Sequence, residues 1–165
     1  MSGDLFSLRM ANQTDQTDIK ALIRAVHINP TRLDWHRFVV AADSDDRLIG
    51  CGQVKPHTDG SRELSSVAVA ESWRGRGVAR AIIEKLMTDH GPPLWLTCRS
   101  SLTPLYQAFG FHEVDEEEQQ PLYFRRLRRL VGVFEMFLSD DEHLAIMTWD
   151  GQPAPTRVAA NHANQ

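Results

Sequence analysis

Hydrophobic and polar positions along the chain follow two periodicities, and their order predicts a protein that mixes helices with strands. Apolar residues at spacings of three and four form one stripe between residues 19 and 26, which is typical of an amphipathic helix. Short apolar runs bounded by polar or glycine-containing turns predict strands. These strands are expected at residues 5–9, 38–42, 48–54, 64–69, 94–98, 111–114 and 143–149.

The three strands in the middle of the chain predict an antiparallel meander. Four polar residues at 43–46 separate the runs at 38–42 and 48–54, so these two runs are expected to pair as a hairpin. A turn at 55–62, with a proline and a glycine, lets the strand at 64–69 continue the meander. Three more helices are expected. The first follows from residues 74–79 and continues through residue 87, the second lies at 103–109 and the third at 121–137.

Length and composition set the expected domain organisation. The 165 residues are enough for one domain with a buried core, and no internal repeat occurs. We expect this domain to span residues 1–150. Residues 151–165 are rich in proline, alanine and asparagine and lack periodicity, which predicts a disordered tail.

Charge and cysteine usage exclude several classes of protein. The formal net charge of −4 gives no general attraction to nucleic acid. No run is long and apolar enough to cross a bilayer and the first residues lack a secretion signal, so we expect a cytoplasmic protein without a membrane partner. Cys51 and Cys98 lie in apolar, strand-like runs and are expected to be core residues, not a disulfide or a nucleophile. The seven histidines are scattered, so we expect no metal site.

The stretch from residue 63 to residue 79 contains the clearest candidate site. A strand-like run and a short turn lead into Arg74-Gly75-Arg76-Gly77-Val78-Ala79, which opens a helix. Glycine lets the backbone adopt positive φ and approach a ligand closely. The first amides of a helix lack intrahelical partners, and the helix dipole adds positive charge there, so the stretch predicts an anion site suited to a phosphate. The stretch lacks both the Lys-Ser/Thr end of the nucleoside-triphosphate loop and the three-glycine spacing of the dinucleotide fingerprint.

Two motifs resemble the GNAT superfamily of N-acetyltransferases. Arg74, Gly77 and Ala79 match its acyl-CoA loop, Arg/Gln-x-x-Gly-x-Gly/Ala. The run Leu105-Tyr106-Gln107-Ala108-Phe109-Gly110-Phe111 is similar to the Leu-Tyr-x-x-x-Gly-Phe signature that follows the fifth strand of the family. The order of predicted elements over residues 5–149 is also that of the GNAT fold. The resemblance implies an α+β fold, an α/β/α sandwich with helices on both faces of a mixed, mostly antiparallel sheet.

The resemblance also implies a reaction, the transfer of an acetyl group from acetyl-CoA to a primary amine of a small molecule or protein. Glu63 stands where some members place a general base, and two-residue alternation puts Glu63, Ser65, Val67 and Val69 on one face of the strand. Tyr106 matches the tyrosine that many members use as a general acid for the leaving thiolate. The residues expected to bind acetyl-CoA are Val67, Ala68 and Val69 through their backbone amides, Arg74, Gly75, Arg76, Gly77, Val78 and Ala79 in the glycine turn, and Ser100.

Three of these positions have a second interpretation. Many members carry an asparagine shortly before the tyrosine, and here Arg99, Ser100 and Ser101 occupy that neighbourhood, so a serine or Arg99 could replace its contact with CoA. Glu63 could also be a charge at the exposed start of a strand. Tyr106 could be packed by its ring, with its hydroxyl in water.

The identity of the acceptor is open at this stage. It is expected to enter between the first helix with its following loop and the late strands. Candidate loop residues there are Arg32, Asp34, Trp35, His36 and Lys55. The arginines of the 121–137 helix are expected to form a solvated face, with an anion site as the alternative. A non-catalytic acyl-CoA-binding or regulatory domain and an interaction module built on that helix are alternative functions, and the chain could be a monomer or a homodimer.

Overall fold

The computed structural model describes residues 5–131 and 142–154, and within them seven strands and four helices form one layered fold. The strands are β1 (Ser7–Met10), β2 (Phe38–Ala42), β3 (Leu48–Pro56), β4 (Arg62–Val69), β5 (Leu94–Arg99), β6 (His112–Glu113) and β7 (Leu144–Trp149). The helices are α1 (Gln16–Ala25), α2 (Val78–His90), α3 (Thr103–Gln107) and α4 (Leu122–Val131). None of these helices is long and apolar enough to span a bilayer.

The strands form a single mixed sheet in the order β1-β2-β3-β4-β5-β7-β6. Each neighbouring pair is antiparallel except β4 and β5, which are parallel. The register of that parallel pair covers a single residue pair, Glu63 with Trp95. The two strands therefore part beyond Glu63, and a cleft opens in the middle of the sheet.

Two hydrophobic cores cover the two faces of the sheet. Ile82, Ile83 and Leu86 of α2 are fully buried against one face. Ile19 and Ile23 of α1 are fully buried against the other. The predicted α+β sandwich, with helices on both faces of a mostly antiparallel sheet, is confirmed.

A β-bulge interrupts β4 in front of the cleft. The pairing with β3 shifts by one residue between Cys51 and Gln53, so Ser66 and Val67 both lie opposite Gly52. Ser66 has a φ of 57°, in the left-handed region. An extra residue of this kind disturbs the ladder locally and changes the direction in which the following side chains point.

Because of the bulge, the prediction that four alternating residues of β4 share one face is wrong. Leu64 is buried in the core beneath α2, and Val67 and Val69 pack against that same core. Strict alternation would put Leu64 on the face opposite Val67. Glu63 and Ser65, which precede the bulge, therefore do not share a face with the two valines.

Replacing Gly52 with alanine is expected to lower the free energy of unfolding by about 1–3 kcal/mol, because it overpacks the contact between β3 and α2. A β-carbon at this position would lie 2.7 Å from Cγ2 of Ile82 and 3.1 Å from Cδ1 of Leu86. Both side chains are fully buried, so the helix itself has to shift. Urea unfolding followed by circular dichroism measures the change, and an unaltered midpoint would show that α2 yields at no cost.

A few boundaries differ from the sequence prediction. Lys55 belongs to β3, because the strand extends to Pro56 before it turns. The helix predicted at 121–137 is described as far as Val131, and residues 132–137 lie outside the described part. Of the predicted tail, Gln152 is in contact with the domain, since its carbonyl accepts a hydrogen bond of 3.0 Å from Nε1 of Trp149. Residues 155–165 lie outside the described part.

Candidate active site

The parting of β4 and β5 creates a cleft of about 370 Å³, here called the strand cleft. Its walls are residues of β3, β4, β5, α3 and α4 and of the loop after α1. The lining includes five charged or phenolic side chains: Arg32, Lys55, Glu63, Tyr106 and Tyr123. The two residues that the family resemblance implies for catalysis, Glu63 and Tyr106, thus lie in the wall of one cleft.

Glu63 is held by a histidine whose tautomer the surroundings define. The Glu63 side chain is 8% exposed, and its Oε2 lies 2.9 Å from Nε2 of His57. The other ring nitrogen of His57, Nδ1, lies 3.3 Å from Nη1 of Arg32. A guanidinium can only donate, so Nδ1 accepts and Nε2 carries the proton that it donates to Glu63. Oε1 of Glu63 has no hydrogen-bond partner within the described residues. It can accept a proton, or a hydrogen bond from a water molecule.

Aromatic side chains fix the position of His57. Its ring stacks on Tyr123 with centroids 3.4 Å apart and meets Phe124 edge-on at 5.9 Å. Asp59, in the same turn as His57, accepts a hydrogen bond of 2.8 Å from the backbone N–H of Tyr123 and so joins the turn to α4. Burial opposes the charge of Asp59, but hydrogen bonds from Ser61 and from the Tyr123 backbone lower its pKa to about 2. The carboxylate is therefore ionised at neutral pH and can accept this hydrogen bond from α4.

Tyr106 of α3 lines the strand cleft and packs against the core. Its ring packs edge-on against Phe111 with centroids 6.1 Å apart. Burial, with a smaller contribution from Cys98, raises the pKa of Tyr106 to about 12. The hydroxyl consequently keeps its proton at neutral pH and can donate it.

The two cysteines are buried thiols. Both are free, as the sequence predicted. Burial raises the pKa of Cys51 to about 12, and burial with the charge of Glu113 raises that of Cys98 to about 11. Cys98 lines the strand cleft, but a thiol that is protonated at neutral pH is a poor nucleophile.

A second cleft, of about 250 Å³, lies over the glycine turn that opens α2, and we call it the glycine-turn cleft. Gly75 and Gly77 have φ values of 74° and 81°, which favour glycine. A β-carbon added at either position would meet nothing within 4 Å, so the space in front of the turn is open. The first amides of α2, from Val78 onward, face the start of the helix without intrahelical partners. This arrangement can cradle an anion.

The side chains around the turn have separate roles. Arg74 and Arg76 are exposed, and the guanidinium of Arg76 lies 5.0 Å from the ring centroid of Trp73, a cation–π contact. The side chain of Val78 is buried in the core beneath α2, which leaves only its backbone for a ligand.

Strand β4 connects the two clefts. Its residues 63–67 line the strand cleft, and Val69 lines the glycine-turn cleft. At about 3.3 Å per residue, the strand spans about 20 Å between Glu63 and Val69. An elongated ligand anchored at the glycine turn could therefore run along the edge of β4 that faces away from β3 and reach both Glu63 and Tyr106.

Not every predicted residue lies at these clefts. Ser100 joins the end of β5 to the start of β7, since its backbone N–H donates to the carbonyl of His143 at 2.9 Å and its hydroxyl accepts from the His143 N–H at 3.2 Å. Neither cleft includes Ser100 in its described lining. Of the candidate acceptor residues, Arg32 and Lys55 line the strand cleft, whereas Trp35 stacks on His36 outside it.

Two arginines of α4 contact the acidic loop. Arg128 donates to the carbonyl of Asp115 at 3.1 Å, and Arg129 pairs with Glu117 at 2.5 Å. The apolar stripe of the helix, with Leu127 and Val131, lines the strand cleft. The acidic run is thus tied to α4, and these two arginines are not part of the described cleft wall.

His57 and Tyr123 were missed in the sequence. His57 precedes Glu63 by six residues across a turn that contains glycine, and this spacing could have indicated that the two side chains meet across the hairpin. No sequence signal places Tyr123 on the histidine, because that contact depends on the packing of α4 against a distant turn.

Comparison with known proteins supports the fold and the family. A family model for the Acetyltransferase (GNAT) domain matches residues 34–113. N-acetylglutamate synthase from Neisseria gonorrhoeae, solved with coenzyme A and N-acetyl-glutamate, has a TM-score of 0.69 and 18% identity, over 90% of this chain and 36% of that one. Rv2747 from Mycobacterium tuberculosis, solved with CoA, has a TM-score of 0.67 and 20% identity, over 87% of this chain and 98% of that one.

Two further proteins extend the comparison. The ribosomal-protein-S18-alanine N-acetyltransferase from Escherichia coli has a TM-score of 0.61 and 18% identity, over 93% of this chain and 98% of that one. The [Citrate [pro-3S]-lyase] ligase of Haemophilus influenzae is 22% identical over 85% of this chain. The chain spans 43% of that ligase and 36% of the synthase. Residues 34–113 match the GNAT acetyltransferase domain, and the resemblance of the chain to that superfamily is confirmed.

Proposed function

We propose that this protein is an N-acetyltransferase that moves the acetyl group of acetyl-CoA to a primary amine of a small molecule or protein. The observation that carries the proposal is the continuity of β4 between an anion cradle and a cleft with an acid and a base. Glu63 can accept a proton in that cleft, and Tyr106 can donate one.

The cosubstrate is acetyl-CoA, with its pyrophosphate at the amides of residues 74–79 and its arm along residues 67–69 of β4. Two structural neighbours of this fold, the gonococcal synthase and the mycobacterial protein, were solved with CoA. The open space in front of Gly75 and Gly77 fits a phosphate that approaches the backbone closely. Bound acetyl-CoA supplies the activated acyl group as a thioester.

Acetyl transfer requires three contributions from the protein. The attacking amine must lose a proton, and Oε1 of Glu63 takes it directly or through a water. The thioester oxygen gains negative charge as the amine attacks, and backbone N–H groups of β4 near the bulge would stabilise it. The departing thiolate takes the phenolic proton of Tyr106. His57 positions Glu63, since its Nε2–H holds the other carboxylate oxygen.

The geometry favours an enzyme over the two alternatives. A domain that only binds an acyl-CoA has no need for an acid and a base in one cleft, yet Glu63 and Tyr106 both line the strand cleft. An interaction module built on the last helix would leave its apolar stripe outward. In the described part of α4, Leu127 and Val131 turn toward the cleft instead.

Thermal unfolding with added ligands tests the proposal at the level of binding. CoA and acetyl-CoA should raise the melting temperature, because a ligand that binds only the folded state stabilises it by mass action. Adenine nucleotides without the pantetheine arm should raise it less. Release of free thiol in the presence of an amine panel then tests acetyl transfer. Stabilisation by acetyl-CoA with no transfer to any amine would support the non-catalytic alternative.

Replacing Gly77 with valine is expected to weaken acetyl-CoA binding by about tenfold or more, the cost of losing a charge-assisted hydrogen bond to a phosphate. The new side chain would occupy the open space that faces the first turn of α2. Calorimetry with CoA measures the change.

Gly91→Val provides the matched control, because Gly91 ends the same helix with a φ of 65° and its added β-carbon also meets nothing within 4 Å. Both variants carry backbone strain, but only the change at Gly77 should affect CoA affinity. Equal affinities for the two variants, with the fold intact by circular dichroism, would exclude the glycine turn as the phosphate site.

A further inference from the structure

Lys55 is a buried cation without a hydrogen-bonded partner in the described residues. It lies in β3 directly opposite Glu63, is 7% exposed and lines the strand cleft. Glu63 acts on it electrostatically, but that carboxylate accepts its hydrogen bond from His57. No hydrogen bond or ion pair joins the Lys55 ammonium to any residue that the structure describes. Lys55 is mostly buried, and the protein's own contacts give its ammonium no partner, which is costly for a charge largely removed from water.

The part of the strand cleft around Lys55 has more positively charged side chains than negatively charged ones. Burial lowers the pKa of Lys55, and Arg32 and Arg37 lower it further, whereas Glu63 raises it. Among the charged side chains in the described cleft wall, Arg32 and Lys55 are cations and Glu63 is the anion. An acceptor that carried only an ammonium group would meet net positive charge here, whereas an acceptor with its own anion would complement it.

Arg32 is fixed at the same corner. Its Nη2 donates to the carbonyl of Pro56 at 3.1 Å, in addition to the contact of Nη1 with His57. Its backbone has a φ of 55°, a left-handed conformation that residues other than glycine rarely adopt. Such conformations persist where the surrounding structure enforces them, and they cluster at binding sites. The guanidinium is thereby held beside Lys55 at the rim of the cleft.

The register of β3 and β4 sets the distance between the two opposite charges. Lys55 and Glu63 are cross-strand partners, so their β-carbons lie about 4.5–5.5 Å apart. A group that takes an amine proton and a group that binds an anion are therefore within reach of one small molecule. The cleft volume of about 370 Å³ is at the low end for ligand sites and also suits a small acceptor.

We propose that the acceptor is a free α-amino acid, with its amine at Glu63 and its carboxylate bound by Lys55 and Arg32. This inference rests on the proposed acetyl transfer and names the substrate class of the same site. The acceptor's carboxylate supplies the partner that Lys55 lacks. It also positions the acceptor's amine beside Glu63, which must deprotonate it.

A panel of matched acceptors tests the inference with the wild-type protein. The twenty L-amino acids are compared with their carboxamides, which keep the shape and remove the negative charge, and with amines that lack the carboxyl group altogether. The KM for the best amino acid should be at least about tenfold below that of its carboxamide, since the carboxylate makes charge-assisted hydrogen bonds. Thiol release with saturating acetyl-CoA gives both constants.

Lys55→Met assigns the effect to the lysine. Methionine fills a similar volume without the charge, so the fold should be retained, and thermal unfolding verifies this. The KM for the amino acid should rise about tenfold, to the level of the carboxamide, while the KM for the carboxamide should change less than about threefold. Lys85→Met, at an exposed lysine of α2 that pairs with Asp89, provides the control and should change neither constant.

The outcomes separate this inference from the proposed function. A carboxamide or a simple amine acetylated as well as the amino acid would overturn the carboxylate site and leave acetyl transfer intact. Binding of acetyl-CoA with no amino acid of the panel acetylated would also overturn it. Absence of both acetyl-CoA binding and thiol release would overturn the proposed function itself.

Discussion

Tyr106→Phe is expected to reduce kcat by about a hundredfold while the affinity for acetyl-CoA stays nearly unchanged. The phenylalanine ring can keep the edge-on contact with Phe111 and its place in the wall of the strand cleft. The change removes one hydroxyl, which is the proton donor proposed for the departing thiolate. Pre-steady-state measurement of thiol release, with calorimetry for acetyl-CoA, separates the chemical step from binding.

The other tyrosine of the chain provides a matched control. Tyr123→Phe removes the same atom from the same cleft, and its ring can still stack on His57. Its effect on kcat should be several times smaller than that of Tyr106→Phe. A Tyr106→Phe protein that turns over at the wild-type rate, with chemistry rate-limiting, would make Tyr106 a packing residue only.

The pKa of Tyr106 adds a pH criterion. Because burial raises this pKa to about 12, the phenol stays protonated up to about that pH. Loss of activity between pH 8 and pH 10 would therefore have to come from another group, and it should persist in Tyr106→Phe.

Glu63→Gln is expected to lower the rate at neutral pH by about a hundredfold with an alkylamine acceptor. The glutamine keeps the size of the side chain, and its carbonyl can still accept from Nε2 of His57. The change removes the ability to take a proton and the negative charge opposite Lys55. Glu84→Gln makes the same chemical change on the exposed face of α2, where Glu84 pairs with Arg80, and should leave the rate unaltered.

The pH–rate profile distinguishes a base from a structural charge. An alkylamine with a pKa near 10.4 is almost fully protonated at pH 7, so the demand for a base is greatest there. As the pH rises, more free amine exists, and the deficit of Glu63→Gln should shrink. A weakly basic aromatic amine is already unprotonated at pH 7 and needs no base, so its rate with Glu63→Gln should fall only slightly. A glutamine variant with the wild-type profile would mean that water or another residue removes the proton.

Local signals in the sequence predicted most of the fold. The stripe at residues 19–26, the apolar runs separated by polar turns and the helix after the glycine turn all correspond to elements in the structure. These features depend on neighbouring residues, so a single sequence contains them. The glycine turn itself is readable because positive φ at Gly75 and Gly77 favours a specific residue type.

Features that depend on pairing between distant segments could not be predicted from the sequence. The bulge in β4 arises from the register with β3. Ser66 has a positive φ although it is not glycine, so its residue type did not indicate the bulge. The prediction of strict alternation therefore failed at the point where the strand passes the cleft. Lys55 was assigned to a loop for a similar reason, because the end of β3 is set by its pairing with β4.

The sequence by itself determined the layered fold and the glycine turn, because short-range periodicity and residue type encode them. Glu63 and Tyr106 became candidates through the family resemblance. The tertiary structure alone decided that β4 and β5 part after one residue pair, which opens the cleft between them. It also decided that His57 is held between Arg32 and Glu63, and that Lys55 is buried opposite the same carboxylate. Those contacts join segments brought together by strand register and helix packing, and both are properties of the folded chain.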